Sequence, residues 1–160
     1  MDKREFADRV HAMQERLYRL TAGQLREEQD RKDAVQEAIF KAWKGRARLR
    51  DKAYFETWLI RILINECHNI QRETMRMRPA ERIPEKQYSE PLMEGSDAEL
   101  REALMALPDK LRLPVMLHYM EGYDVRETAR IMGTTKGAVC AGLARAREAL
   151  RRMIGEEMDA

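Results

Sequence analysis

Val125-Arg126-Glu127-Thr128-Ala129-Arg130-Ile131-Met132-Gly133-Thr134-Thr135-Lys136-Gly137-Ala138-Val139 is the most specific stretch of this chain. A helix-turn-helix sets two short helices at a steep angle across a turn of three to four residues. The first helix needs a small side chain where its partner crosses, and Ala129 supplies it. Gly133, four residues on, is free to take the left-handed backbone that the turn demands. Val139, six residues further, anchors the second helix on the first, with Ile131 and Met132 as core contacts between. The spacing predicts a helix over 124–131 and another over 136–154. In such a motif the leading side chains of the second helix enter a DNA major groove. An ordinary helical hairpin with a glycine turn would satisfy the same spacing. Beyond the motif, the arginines of Leu143-Ala144-Arg145-Ala146-Arg147 can pair with phosphates. A basic final turn also simply complements the helix dipole.

Upstream of the motif the pattern stays helical. Segments at 97–106 and 109–120 are punctuated by Pro108 and Pro114, and Pro114 fits a helix only in its first turn. Residues 79–97 carry Pro84, Pro91, Gly95 and Ser96 among charges and hold no period, so they read as a linker. In the front half, Phe6, Val10, Met13, Leu17 and Leu20 recur at spacings of three and four, an amphipathic helix. A second helix runs from about Gln29 to Trp43, with Ala34, Ala38, Ile39 and Ala42 expected to be buried. Lys44 to Lys52 breaks that pattern at Gly45 and packs five basic residues into nine positions. A third helix, Tyr54 to about Met77, is apolar in its first half and basic in its second. Phe55 and Trp58 lie on its apolar stripe and are expected in the core.

Bulk composition bounds the rest. The 160 residues are 36% charged and 44% apolar, enough Leu, Ile, Val, Met and Ala for a core. Good helix formers dominate, and β-branched runs between turn residues are scarce. Residues 1–86 carry 20 basic against 15 acidic side chains, a net of +5, and residues 87–160 carry 10 against 13, a net of −3. A basic front half suits nucleic acid without requiring it. Cys67 and Cys140 stand far apart with no Cys/His cluster, so neither a disulfide framework nor a metal site is expected, and no cofactor is implied. His11, His68 and His118 are scattered, with no phosphate loop or nucleophile elbow, which argues against an enzyme and a small-molecule substrate. The charged start at Met1–Glu5 is unlike a signal peptide, and no run approaches the ~20 apolar residues of a spanning helix. The expected compartment is the cytoplasm.

These residues carry a family resemblance. Leu104-Met105-Ala106-Leu107-Pro108, Leu117-His118-Tyr119-Met120-Glu121-Gly122-Tyr123, the Glu127–Ala129 turn and Arg145-Ala146-Arg147 with Leu150 resemble the C-terminal domain of extracytoplasmic-function (ECF) sigma factors of the sigma-70 superfamily. That domain reads the upstream promoter element. Here the resemblance implies contacts from Thr134, Thr135, Lys136, Arg145 and Arg147. Asp33-Ala34-Val35-Gln36-Glu37-Ala38-Ile39-Phe40 resembles the family's helix that docks on the polymerase's largest subunit. Asp33, Gln36, Glu37 and Phe40 fall on one helical face. Phe55-Glu56-Thr57-Trp58 through Arg61, Asn65, Asn69 and Arg72 resembles the promoter-melting helix. The preceding loop, with Lys44, Arg46, Arg48, Arg50 and Lys52, would hold a flipped base and the exposed strand of the downstream element.

The resemblance thus implies an all-α chain of two small helical domains, 1–80 and 98–160, joined by a flexible linker over 81–97. The second domain contains the helix-turn-helix. The implied partners are core RNA polymerase, promoter DNA and an anti-sigma factor, and the acidic linker (Glu85, Glu90, Glu94, Asp97, Glu99) would run through polymerase channels. The competing reading is a stand-alone helix-turn-helix regulator acting without polymerase. Two departures stand out. Arg31-Lys32 replaces the family's usual Ala-Glu, which alters the expected docking surface. Val139-Cys140-Ala141-Gly142-Leu143 replaces the common Val-Lys-Ser-Arg-Leu, so upstream binding should be weaker than usual or depend more on apolar contacts with thymine methyls, and Gly142 should weaken its helix by up to ~1 kcal/mol.

Overall fold

The computed structural model describes residues 1–77 and 98–158, with side chains to residue 154. The expected linker at 81–97 lies outside the described residues, as do Glu85, Glu90, Glu94 and Asp97. The chain divides into two compact units, Met1–Tyr88 and Ser89–Ala160. Both are helical, and no strand occurs among the described residues.

The first unit is built on α1 (Lys3–Ala22), α2 (Glu28–Gly45) and α3 (Phe55–Met77). Asp2 opens α1 three residues before the apolar period begins, because its side chain accepts from the Glu5 amide at 2.8 Å and satisfies an otherwise orphaned donor. Phe6, Met13, Leu17 and Leu20 then face inward. On α2 the inward residues are Ala34, Val35, Ala38 and Ala42. Three alanines on one stripe let α2 lie close to α3, whose Leu59, Ile60, Leu63 and Ile64 are all at most 2% exposed. Each such side chain contributes on the order of 1.5–3 kcal/mol by leaving water. Ile39, expected inside, is only half-buried, because it lies beside the alanine stripe. Phe55 is core as expected, its ring edge-on to Phe6 at 5.8 Å, and Phe6 meets Trp43 at 5.2 Å. Trp58 is half-buried at the rim of this cluster, 6.0 Å from Phe55.

Two polar devices brace the unit. Lys41 donates to Glu66, joining α2 to α3 where Glu66 is otherwise buried. That hydrogen bond holds the Lys41 ammonium above the usual lysine range. Arg31 turns inward, 4% exposed, donating to the carbonyls of Leu25 at 2.8 Å and Arg26 at 3.0 Å. It clasps the turn between α1 and α2.

In the second unit α4 (Ala98–Ala106), α5 (Asp109–Val115) and α6 (Val125–Met132) pack on α7 (Lys136–Met158). Buried Arg112 closes the α4–α5 corner, donating to the carbonyls of Met105 and Leu107 and pairing with Asp109. Pro114 departs from expectation. It lies inside α5, beyond the first turn, and is buried. The ring removes one backbone donor, and immediately afterward the chain widens into a π turn, Met116–Met120, in which the Glu121 amide donates to the Met116 carbonyl at 2.9 Å. The ring itself fills space against α7. A Cβ placed on Gly142 would sit 3.8 Å from Pro114 Cγ. Gly142 is therefore an inward residue at a helix crossing.

Candidate nucleic-acid and partner interfaces

The α6–α7 pair has the geometry read from its sequence. Asp124 accepts from the Glu127 amide at 2.7 Å while Glu127 accepts from the Asp124 amide at 3.0 Å, a reciprocal cap that starts α6. Gly133 ends it at φ 67°, in the left-handed region. There the Thr134 amide turns back to the Ala129 carbonyl at 2.9 Å. Ala129, Ile131, Val139, Leu143 and Ala146 form the seam, and Met132 is only half-buried.

Thr134, Thr135 and Lys136 are exposed at the start of α7. The Thr135 hydroxyl accepts from the Ala138 amide at 3.1 Å, so it caps the helix and keeps its proton and one lone pair. Gly137, Ala138, Cys140, Ala141 and Ala144 are exposed along the following turns. The outward surface is small and apolar, with Lys136 at one end and Arg145 and Arg147 further along. The Arg145 Nε donates to the Ala141 carbonyl at 3.4 Å. Arg147 donates to the hydroxyl of Tyr119 at 2.8 Å. The pairing of Tyr119 with Arg147 was not legible, since nothing in the local sequence of Tyr119 marks a partner 28 positions on.

In the first unit, Asp33, Gln36, Glu37 and Phe40 are all exposed on the face of α2 opposite the alanine stripe. Gln29 donates to Asp33 at 2.9 Å, and the Lys44 ammonium lies 5.1 Å from the centre of the Phe40 ring. Phe40 is 54% exposed. Lys32 is also exposed and pairs with Glu28 at 3.5 Å. Arg31 takes no part in this surface, which corrects the expectation that the Arg31-Lys32 pair jointly alters it.

The basic segment is more ordered than a loop, with 3₁₀ turns at Arg46–Arg48 and Lys52–Tyr54. Its five cations separate by what they touch. The Arg46 guanidinium stacks 3.5 Å from the Trp43 ring centre and donates to the Trp43 carbonyl at 2.7 Å. Lys52 donates to Glu5 at 2.8 Å, and that ammonium holds the Glu5 carboxyl below the usual carboxylate range. Arg9 adds a bond to the Lys52 carbonyl at 3.0 Å. Arg48 and Arg50 are without a side-chain hydrogen bond or ion pair among the described residues. On α3, Arg61, Asn65, Asn69 and Arg72 are all exposed at spacings of four, four and three, hence along one stripe. Arg72 donates to Asn69.

No described helix is long and apolar enough to cross a membrane.

Comparison with known proteins bears on both units. The family described as Sigma-70 region 2 matches residues 9–77, and that described as Sigma-70, region 4 matches residues 97–150. The chain is 34% identical over 154 residues to the ECF RNA polymerase sigma factor SigM of Mycobacterium tuberculosis, spanning 92% of this chain and 74% of that one. It is 31% identical over 134 residues to the ECF RNA polymerase sigma-E factor of Escherichia coli K12, spanning 74% and 70%. Among solved structures it is similar in fold to the sigma factor RpoE of Bartonella quintana, crystallised with the anti-sigma factor NepR. The TM-score is 0.82 at 22% identity, over 94% of this chain and 97% of that one.

Proposed function

The chain belongs to the extracytoplasmic-function sigma factors of the sigma-70 family, and from that premise we propose how its surfaces divide the work. As a sigma factor it directs RNA polymerase to promoters, and it acts by binding, without catalysis of its own.

The first unit docks core polymerase through the exposed face of α2, where Asp33, Gln36 and Glu37 present a polar strip beside the Phe40 ring. An exposed aromatic beside hydrogen-bonding groups is the composition of an interface anchor. The same unit holds the downstream element. Arg48 and Arg50 are the foremost phosphate contacts of the basic segment, because Arg46 and Lys52 already serve Trp43 and Glu5. The α3 stripe of Arg61, Asn65, Asn69 and Arg72 carries the strand onward, with Lys44 at the edge beside Phe40.

The second unit holds the upstream duplex. Thr134, Thr135 and Lys136 face the bases, Arg145 and Arg147 the backbone, and the small surface of Cys140 and Ala141 meets thymine methyls. The protein works in the cytoplasm, where polymerase and promoters are. RpoE is known with NepR on it, and an anti-sigma partner is the natural regulator here too.

The observation that carries this reading is the exposed polar and aromatic face of α2 in a chain that also has a region 4 helix-turn-helix. The test is run-off transcription with core polymerase on a library of promoter fragments. Initiation that requires the protein, and that is lost with Asp33→Ala and Gln36→Ala, supports it. Duplex binding with no affinity for polymerase would make the protein an autonomous regulator.

A further inference from the structure

Long exposed cations on a helix ordinarily sample many rotamers, and fixing one costs side-chain entropy. Arg147 is different. Its guanidinium already donates to the Tyr119 hydroxyl at 2.8 Å, from a residue of the segment preceding the helix-turn-helix. Tyr119 is 53% exposed, yet its ring is buttressed edge-on by His118 at a centroid distance of 4.9 Å. His118 is in turn anchored through Nδ1 to the Tyr123 carbonyl at 2.7 Å. The π turn over Met116–Met120 carries both rings.

The chemistry left over is that of donors. A phenol that accepts from a guanidinium keeps its own O–H to donate, and the guanidinium retains four further N–H groups. Neither side chain pairs with a carboxylate among the described residues. The unmet requirement of this cluster is an anion. Lys136 and Arg147 also lie eleven residues apart, just over three full turns, and so share a flank of α7 about 16 Å apart along its axis. The anion is then a backbone phosphate at the groove edge, because Tyr119 precedes the motif and the elements before a recognition helix cross the DNA backbone.

We propose that Tyr119 and Arg147 form a paired phosphate site, in which Tyr119 both positions the guanidinium and donates its own proton to the same phosphodiester. This rests on the reading of the second unit as the holder of upstream duplex. Its consequence is affinity without sequence preference, since phosphate contacts position and base contacts specify.

The experiment uses polymerase holoenzyme containing the full chain, with promoter fragments whose upstream duplex varies in sequence. Arg147→Ala should weaken binding about tenfold on every sequence and reduce the slope of log affinity against log salt by about one. Tyr119→Phe, which keeps the ring, should weaken it about threefold to fivefold on every sequence. The double variant should lose less than the product of the two single losses, because the positioning part of Tyr119 acts only through Arg147, and the melting temperature of Tyr119→Phe should match the parent. Replacing single phosphates with methylphosphonates should find one position that matters most to the parent, less to each single variant and not to the double variant. Additive losses, or a Tyr119→Phe protein that binds like the parent, overturn the pair while leaving Arg147 as an upstream contact. An Arg147→Ala protein that binds like the parent, or loses affinity for some base sequences only, removes the upstream assignment of Arg147 and the pair with it.

Discussion

Arg31 and Phe40 stand on the same helix and do opposite things. The charged side chain is turned inward, giving its hydrogens to the Leu25 and Arg26 carbonyls, while the aromatic one is left in water. Arg31→Ala strands two carbonyls at the α1–α2 corner, and we expect it to cost about 2–4 kcal/mol. Arg31→Lys should rescue little, because an ammonium cannot reproduce the guanidinium fork. Denaturant titration measures both. None of this was legible in the sequence, where Arg31 beside Lys32 looks like a surface pair. What decides its role is the path of the turn before it, which no local pattern encodes. The basic segment misled in the same way, since five cations look alike until the Trp43 ring and the Glu5 carboxylate claim two of them. The exposed face of Asp33, Gln36, Glu37 and Phe40, proposed above for docking, was legible as a face because helical spacing alone sets it. The two thiols make a second prediction. Burial, aided by the Glu66 carboxylate, pushes Cys67 from the ordinary 9.0 to about 12, whereas Cys140 is exposed. An aromatic disulfide reagent such as DTNB should titrate one thiol in the native protein and two after denaturation. Because the folded value lies above the unfolded one, the Cys67 contribution to stability is intact below about pH 9 and is lost as the pH rises toward 12.

At the scale of elements, apolar periodicity located every described α-helix and erred chiefly where regular helix stops. It missed the start of α1 at Lys3, which depends on the Asp2 cap and carries no apolar signal. It also read α5 and the π turn as one helix, because a widening by one residue leaves a period of three and four almost intact. Pro114 was the local sign of that irregularity. Its ring is also why Gly142 occupies its position without waste of space, and the expectation about Gly142 can now be sharpened. An alanine methyl there would meet Pro114 Cγ at 3.8 Å, an ordinary contact. Gly142→Ala should therefore stabilise the second unit by about 1 kcal/mol through helix propensity, read as a higher melting temperature. Gly142→Arg, which restores the family's common residue, should lower it, because a long side chain has to displace the α5 corner. A fall in both would mean that the crossing tolerates no side chain at all.

At the scale of the molecule, each unit holds its own set of fully buried side chains, Leu17, Leu59 and Leu63 in one, Leu117, Ile131 and Val139 in the other. Domains with separate cores fold as separate units. Fragments 1–88 and 89–160 should each give a cooperative melt, and the scan of the whole chain should reproduce the two in superposition. A single transition above both would show that the units stabilise one another. The division of charge, +5 before residue 87 and −3 after it, was visible in composition. Which cations are available to a phosphate was not, because that depends on the local partners of each. One feature of α2 reaches beyond stability. Its alanine stripe faces α3, and Asp33, Gln36, Glu37 and Phe40, the residues proposed for docking, face away. What keeps the helix folded and what it shows to a partner are thus written on opposite sides of the same eighteen residues. On the proposed docking, a descendant lineage can drift in its choice of polymerase surface while its fold is inherited unchanged, so this helix is where related proteins would be free to become insulated from one another.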